Sequence, residues 1–149
     1  MNNKALESYQ STQVTTAKPE KILLMLYEGC LKFLKLARIN MEEKNIAQKG
    51  KYISKALAII SELTNTLDHK VGGQISSDLE NLYMFMMDKL IEANSQNKTE
   101  HIDVVEKILL TLYEAWKDII ENPRADGVPS RKLQPELYAQ YEAGLKEKA

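Results

Sequence analysis

At 149 residues the chain is one domain's worth of polypeptide, long enough to bury a core and too short for two comfortable ones. Apolar residues make up 44% and charged residues 28%, with 20 Lys+Arg against 21 Asp+Glu, which excludes an intrinsically disordered chain and a strongly charged tail protein. A net charge of -1, with Lys and Glu interspersed, argues against nucleic acid as a partner, because duplex binding draws on a clustered basic surface. The longest apolar runs, Ile22–Tyr27 and Leu82–Met87, fall far below the roughly 20 residues that cross a bilayer, so no membrane insertion is expected. The polar opening from Met1 to Glu20 does not resemble a signal peptide. The single cysteine, Cys30, can form no internal disulfide and sits in an apolar stretch where thiols are ordinarily inert. Together these features predict a cytoplasmic protein.

Residues 1–18 carry hydroxyls, amides and few apolar groups, and read as a flexible amino-terminal arm that Leu6, Tyr9 and Val14 can anchor. Pro19 suits the first turn of a helix at about 19–40, whose stripe is Leu23, Leu26, Cys30, Phe33/Leu34 and Ala37. Asn45 and Gln48 have capping-box spacing for a second helix at 46–69, with Ile53, Ala56/Leu57, Ile60, Leu63 and Leu67 on one face and Gly50 weakening its start. Beyond a turn at Gly72-Gly73, Ser77 and Glu80 predict a third helix at 77–96, striped by Leu79, Leu82, Met86, Leu90 and Ala93. Thr99 is expected to cap a fourth at 99–121, along which Ile102, Val105, Ile108/Leu109, Leu112, Ala115/Trp116 and Ile119 recur. Short links force successive helices antiparallel, so the fold class is all-α, an antiparallel up-down four-helix bundle. Residues 122–149 form a Pro/Gly-rich linker and carboxy-terminal extension ending in a short helix, where Leu137, Tyr141 and Leu145 share one face.

The four helical stretches hold 43 apolar residues in 66, whereas a bundle helix needs roughly three in seven, or about 28. Much of the surplus lies on second stripes: Leu24, Tyr27 and Leu31 on the first helix; Tyr52, Ile59 and Leu63 on the second; Tyr83, Met84, Met87 and Ile91 on the third. Two accounts compete. A small bundle with terminal arms buries a wide arc, or apolar grooves between helices await a partner. The adjacent thioethers of Met84, Met86 and Met87 suit a surface that moulds around a partner, although a Met-rich helix alone is more often core than binding site.

Chemistry has no visible carriers. A di-iron bundle needs Glu-x-x-His pairs, and the residues three before His69 and His101 are Thr66 and Lys98. No glycine-rich oxyanion loop accompanies Cys30, and no phosphate loop or GxGxxG occurs. The sequence predicts no enzyme, no cofactor and no metal.

The run Tyr9-Gln10, Thr16-Ala17-Lys18-Pro19-Glu20-Lys21, Leu24-Met25-Leu26-Tyr27-Glu28-Gly29 and Leu31-Lys32-Phe33-Leu34 resembles the opening of the flagellar export chaperone family FliS. Lys55-Ala56, Glu62-Leu63, Gly72-Gly73, Leu82-Tyr83, Ala93-Asn94 and Trp116 extend the likeness over about residues 5–121. Lys18 departs from it, standing where the family usually has a small capping residue such as serine, and the tail from Asn122 matches no family feature. The resemblance implies a helical bundle that binds the disordered carboxy-terminal segment of flagellin, prevents premature polymerisation, docks at the flagellar export gate and leaves room for a co-chaperone. Tyr9 matches the family's Tyr-Gln element, associated with an arm over a groove and with partner binding. The expected flagellin-binding residues are therefore Tyr9, Leu24, Tyr27, Leu31, Tyr52, Ile59, Leu63, Tyr83, Met84, Met87 and Ile91, the last ten from helix phase. The competing expectation is a self-associating structural bundle without a client.

Overall fold

The computed structural model describes residues 18–122. The arm with Tyr9 and the extension with Leu137, Tyr141 and Leu145 lie outside the described residues. Five helices follow one another: α1 Pro19–Glu42, α2 Ile46–Asn65, the four-residue α3 His69–Gly72, α4 Gln74–Gln96 and α5 Thr99–Glu121. The four long ones form the bundle. α1 packs on α2 and α5, and α4 packs on the same two, so the ring runs α1, α2, α4, α5. Among the described residues no helix is long and apolar enough to cross a membrane.

The links are short because each is built from capping chemistry. Pro19 stands at the start of α1, and Lys18 caps it with no side-chain hydrogen bond. At the far end, Lys44 takes a left-handed conformation, φ 58°. Its N–H donates to the Met41 carbonyl at 3.1 Å and that of Asn45 to the Asn40 carbonyl at 2.8 Å, a Schellman closure made without glycine. The Asn45 side chain then accepts from the Gln48 N–H at 3.2 Å and opens α2. Left-handed Asn97 ends α4.

Lys49 is buried, and its Nζ donates to the Asn94 carbonyl at 2.9 Å and to Asn97 Oδ1 at 3.0 Å. The start of α2 is thereby tied to the end of α4, with a cation placed at the negative pole of that helix.

Two of the predicted boundaries move and one predicted cap is reassigned, while the helix at 99–121 keeps its bounds. The second helix ends at Asn65 instead of 69, and the separate α3 follows. α4 begins at Gln74, so Ser77 is its fourth residue and not its cap. Thr99 is the first helical residue of α5, and Lys98 occupies the cap position with no side-chain bond.

The core contains the predicted stripe of α4 and, on α2 and α5, Ile53, Ala56, Ile60 and Leu63 and the stripe from Ile102 to Leu112, with Leu57, Leu67 and Trp116 packed at its edge. On α1 the phase is turned. Tyr27, Cys30, Leu34, Ala37 and Met41 are the buried residues, and Leu23, Leu26 and Phe33 pack at the edge. Burial pushes the Cys30 thiol up to about 12, so it stays protonated and unreactive at neutral pH.

Candidate binding groove

A groove of about 550 Å³ opens at the end of the bundle where α1 begins and α5 ends. One wall is the first two turns of α1, with Pro19, Ile22, Leu23 and Leu26. The other is Leu67, Val71, Ile75 and Leu79, carried by the link after α2, by α3 and by α4. Tyr83 and Trp116 also line it.

The second wall depends on two glycines. Asp68 caps α3, accepting from the N–H groups of Lys70 and Val71 at 3.0 and 3.1 Å. Gly73, at φ 53° and ψ -123°, reverses the chain directly into α4 in a conformation that favours glycine. A Cβ on Gly72 would meet Ser76 Oγ at 1.9 Å, and that hydroxyl donates to the Asp68 carbonyl at 3.0 Å. The short helix is thus folded tightly onto the first turn of α4, with His69 Nε2 2.7 Å from Glu80 Oε2 across the fold. Val71 and Ile75 are left 85% and 60% exposed on the groove side.

Tyr83 and Trp116 present rings to the groove and satisfy their polar atoms inward. The hydroxyls of Tyr27 and Tyr83 hydrogen-bond across the core, joining α1 and α4, and Trp116 Nε1 donates to the Tyr27 oxygen at 3.1 Å. Burial pushes the Tyr83 hydroxyl up to about 12 and raises that of Tyr27 well above its ordinary value, so both remain neutral donors and acceptors. A buried, mutually hydrogen-bonded polar knot beneath an apolar cleft holds the cleft in a fixed shape.

Among the described residues, Glu20 and Asp68 are the charged residues lining the groove. Among the described residues no group of three or more His, Cys, Asp or Glu stands together to hold a metal. The arrangement suits insertion of apolar side chains from another polypeptide, with little to offer a reacting substrate.

The predicted binding residues do not converge on one surface. Tyr27, Leu63 and Tyr83 are core residues, exposed 0%, 0% and 1%, which corrects the surface role expected of them; only Tyr83 reaches the groove, as part of its lining. The correction follows from α1's azimuth: Tyr27, taken as a second-stripe residue, is at the centre of the buried face.

Half-buried Leu24 and Leu31 share a flank of α1 with Glu28, at i, i+4 and i+7. Glu28 accepts from the Tyr113 hydroxyl at 2.7 Å, so this flank lies along the α1–α5 seam. Tyr52 and Ile59 instead close the α1–α2 seam. Tyr52 stacks on Phe33 with ring centroids 6.2 Å apart, and Ile59 Cδ1 lies 3.5 Å from where a Gly29 Cβ would be. Met84, Met87 and Ile91 form an i, i+3, i+7 row on α4, with Met84 50% and Ile91 56% exposed.

Most of the apolar surplus is therefore absorbed by wide seams. The groove escaped the sequence reading because Val71 and Ile75 flank a Gly-Gly pair taken simply as a turn. Two apolar residues four apart across that pair were the available signal.

A family model described as flagellar protein FliS matches residues 1–123. Among curated proteins, the chain is 38% identical over 120 residues to the flagellar secretion chaperone FliSB of Pseudomonas aeruginosa, covering 78% of this chain and 95% of that protein. It is 37% identical over 119 residues to flagellar secretion chaperone FliS of Salmonella typhimurium (79% and 87% covered) and 36% identical over 119 residues to that of Bacillus subtilis (80% and 88%).

Proposed function

The chain belongs to the FliS family, whose curated members are flagellar secretion chaperones and not enzymes, and on that premise we propose that it binds the carboxy-terminal segment of flagellin, with the groove between α1 and α3–α4 as an anchor. The carrying observation is the groove itself: about 550 Å³, walled by apolar side chains from α1, α3 and α4. Flagellin's terminal segment is an amphipathic polymerisation element. Seating its apolar face here hides the surface that would otherwise meet a second flagellin, and the held subunit is delivered from the cytoplasm to the flagellar export gate.

Ordering a disordered client costs conformational entropy, so one groove is not enough and a long wrapped interface is needed to offset it. Leu24 and Leu31 on one seam, Tyr52 and Ile59 on another, and Met84, Met87 and Ile91 on α4 are the apolar steps offered to the rest of the client. Tyr9 is assigned to an arm over a groove. Tyr27 and Leu63 act from beneath, by fixing the shape of the bundle. A co-chaperone has room on whatever surface the client leaves.

Sizing the purified chain alone and with a carboxy-terminal flagellin peptide tests the reading. A monomer that takes up one peptide supports it. A stable dimer indifferent to peptide overturns it and favours a self-associating structural bundle.

A further inference from the structure

We propose that the carboxy-terminal extension of this chain docks Leu137, Tyr141 and Leu145 into the groove between α1 and α3–α4, so that an incoming partner must displace the chain's own tail. This goes beyond the flagellin reading and does not depend on it. The first support is where the chain leads. Trp116, five residues before the end of α5, lines the groove, and α5 ends at Glu121 beside the start of α1. The tail therefore departs at the open end of the groove.

The second support is reach. Fourteen residues lie between Asn122 and Leu137, and a flexible chain of that length spans about 20 Å root-mean-square. Trp116 lies only about 9 Å along the helix from Asn122. Tethering at this length holds the tail at an effective concentration on the order of millimolar, enough to populate even a weak docked state.

Third, the occupant matches the site in shape and charge. Leu137, Tyr141 and Leu145 at i, i+4 and i+8 make one apolar face about 12 Å long, with Pro135 suited to opening the helix. Arg131-Lys132 precede that face, and the charged residues lining the groove, among those described, are Glu20 and Asp68. The amino-terminal arm is the rival occupant, since it too departs at this end. Its Leu6 and Tyr9 share a face at i and i+3, but Val14 stands about 140° around a helix from Tyr9, so the arm offers two aligned apolar residues where the tail offers three. The family match stops at residue 123, so the tail is a property of this chain beyond the shared fold.

The test uses the full chain with no flagellin present, so it is decided apart from the client reading. Trp116 is the sole tryptophan and lines the groove, so its emission reports coverage. The triple variant Leu137→Ser/Tyr141→Ser/Leu145→Ser is expected to shift that emission to the red and raise its quenching by acrylamide, with an unchanged urea midpoint. Unchanged emission and quenching overturn the proposal. So does a spectral change produced by Tyr9→Ser and not by the triple variant, which assigns the groove to the arm.

A second measurement is oxidative cross-linking of Val71→Cys/Gly144→Cys against the control Ile46→Cys/Gly144→Cys, Ile46 lying at the other end of the bundle. Faster closure of the first pair within a monomer supports docking. Equal rates, or cross-linked dimers that put a second copy in the groove, overturn it.

Discussion

Replacing Val71 and Ile75 together by serine separates the groove's role in binding from its role in the fold. In the bundle of residues 18–122 these side chains are 85% and 60% exposed, so the helices gain little from them and the double variant should unfold within about 0.5 kcal/mol of the parent. Fully burying a Val or Ile side chain is worth roughly 1.5–3 kcal/mol, and the exposed fractions leave most of that to be realised on binding. Rim residues are seldom covered completely, so a loss of about 2–3 kcal/mol is expected for the pair, or affinity weaker by roughly 30- to 150-fold. The assay is titration of a carboxy-terminal flagellin segment into each protein, with Trp116 fluorescence giving Kd and urea unfolding run alongside. Unchanged Kd with unchanged stability would refute the assignment of the client to this groove. A matched loss in Met84→Ser/Ile91→Ser instead would move the anchor to the outward row on α4.

Other expectations concern the scaffold. Gly50 lies within α2 with nothing within 4 Å of a Cβ, so Gly50→Ala should stabilise by about 0.5–1 kcal/mol, read as a higher urea midpoint. Lys49→Met strips the Asn94 carbonyl and the Asn97 side chain of their buried donor and should cost about 1–3 kcal/mol by the same measurement. Alkaline pH probes the tyrosine knot. Tyr83 holds its proton to about 12 in the folded state, whereas an unfolded tyrosine releases it near 10, so the folded state binds more protons between those values. The contribution is fully present below pH 10 and is lost as pH rises through 12; unfolding midpoints measured from pH 8 to 12 should fall steeply above 10, and less steeply in Tyr83→Phe.

The helices were legible because their periodicity is local. Ile53, Ala56, Ile60 and Leu63, or Ile102, Val105, Ile108 and Leu112, must face a core whatever lies opposite, and Asn45 could be read as a cap because its partner Gln48 is three residues away. Helix starts were less legible where the cap is not a side chain: Gly73 acts through its backbone conformation and Lys98 makes no side-chain bond, so Ser77 and Thr99 drew assignments that belong to neighbours. From Ile22 to Ala37 on α1, 12 of 16 positions are apolar, so the pattern defines a broad arc without saying which part points inward. Tyr27 falls on a second apolar stripe by phase alone, whereas in the fold it is fully buried with its hydroxyl bonded to Tyr83 and Trp116.

Length, composition and stripe spacing by themselves determined an all-helical antiparallel bundle with more apolar surface than its interior needs, because short links and 3.6-residue periodicity leave few alternatives. Tertiary structure alone decided the ring order α1, α2, α4, α5 and the rotation of each helix within it. Those two choices send Leu24 and Tyr52 to different seams and gather residues 19–26, 66–79, Tyr83 and Trp116 around one groove. A period fixes which residues share a face. What that face meets depends on helices distant in sequence, and no local pattern encodes it.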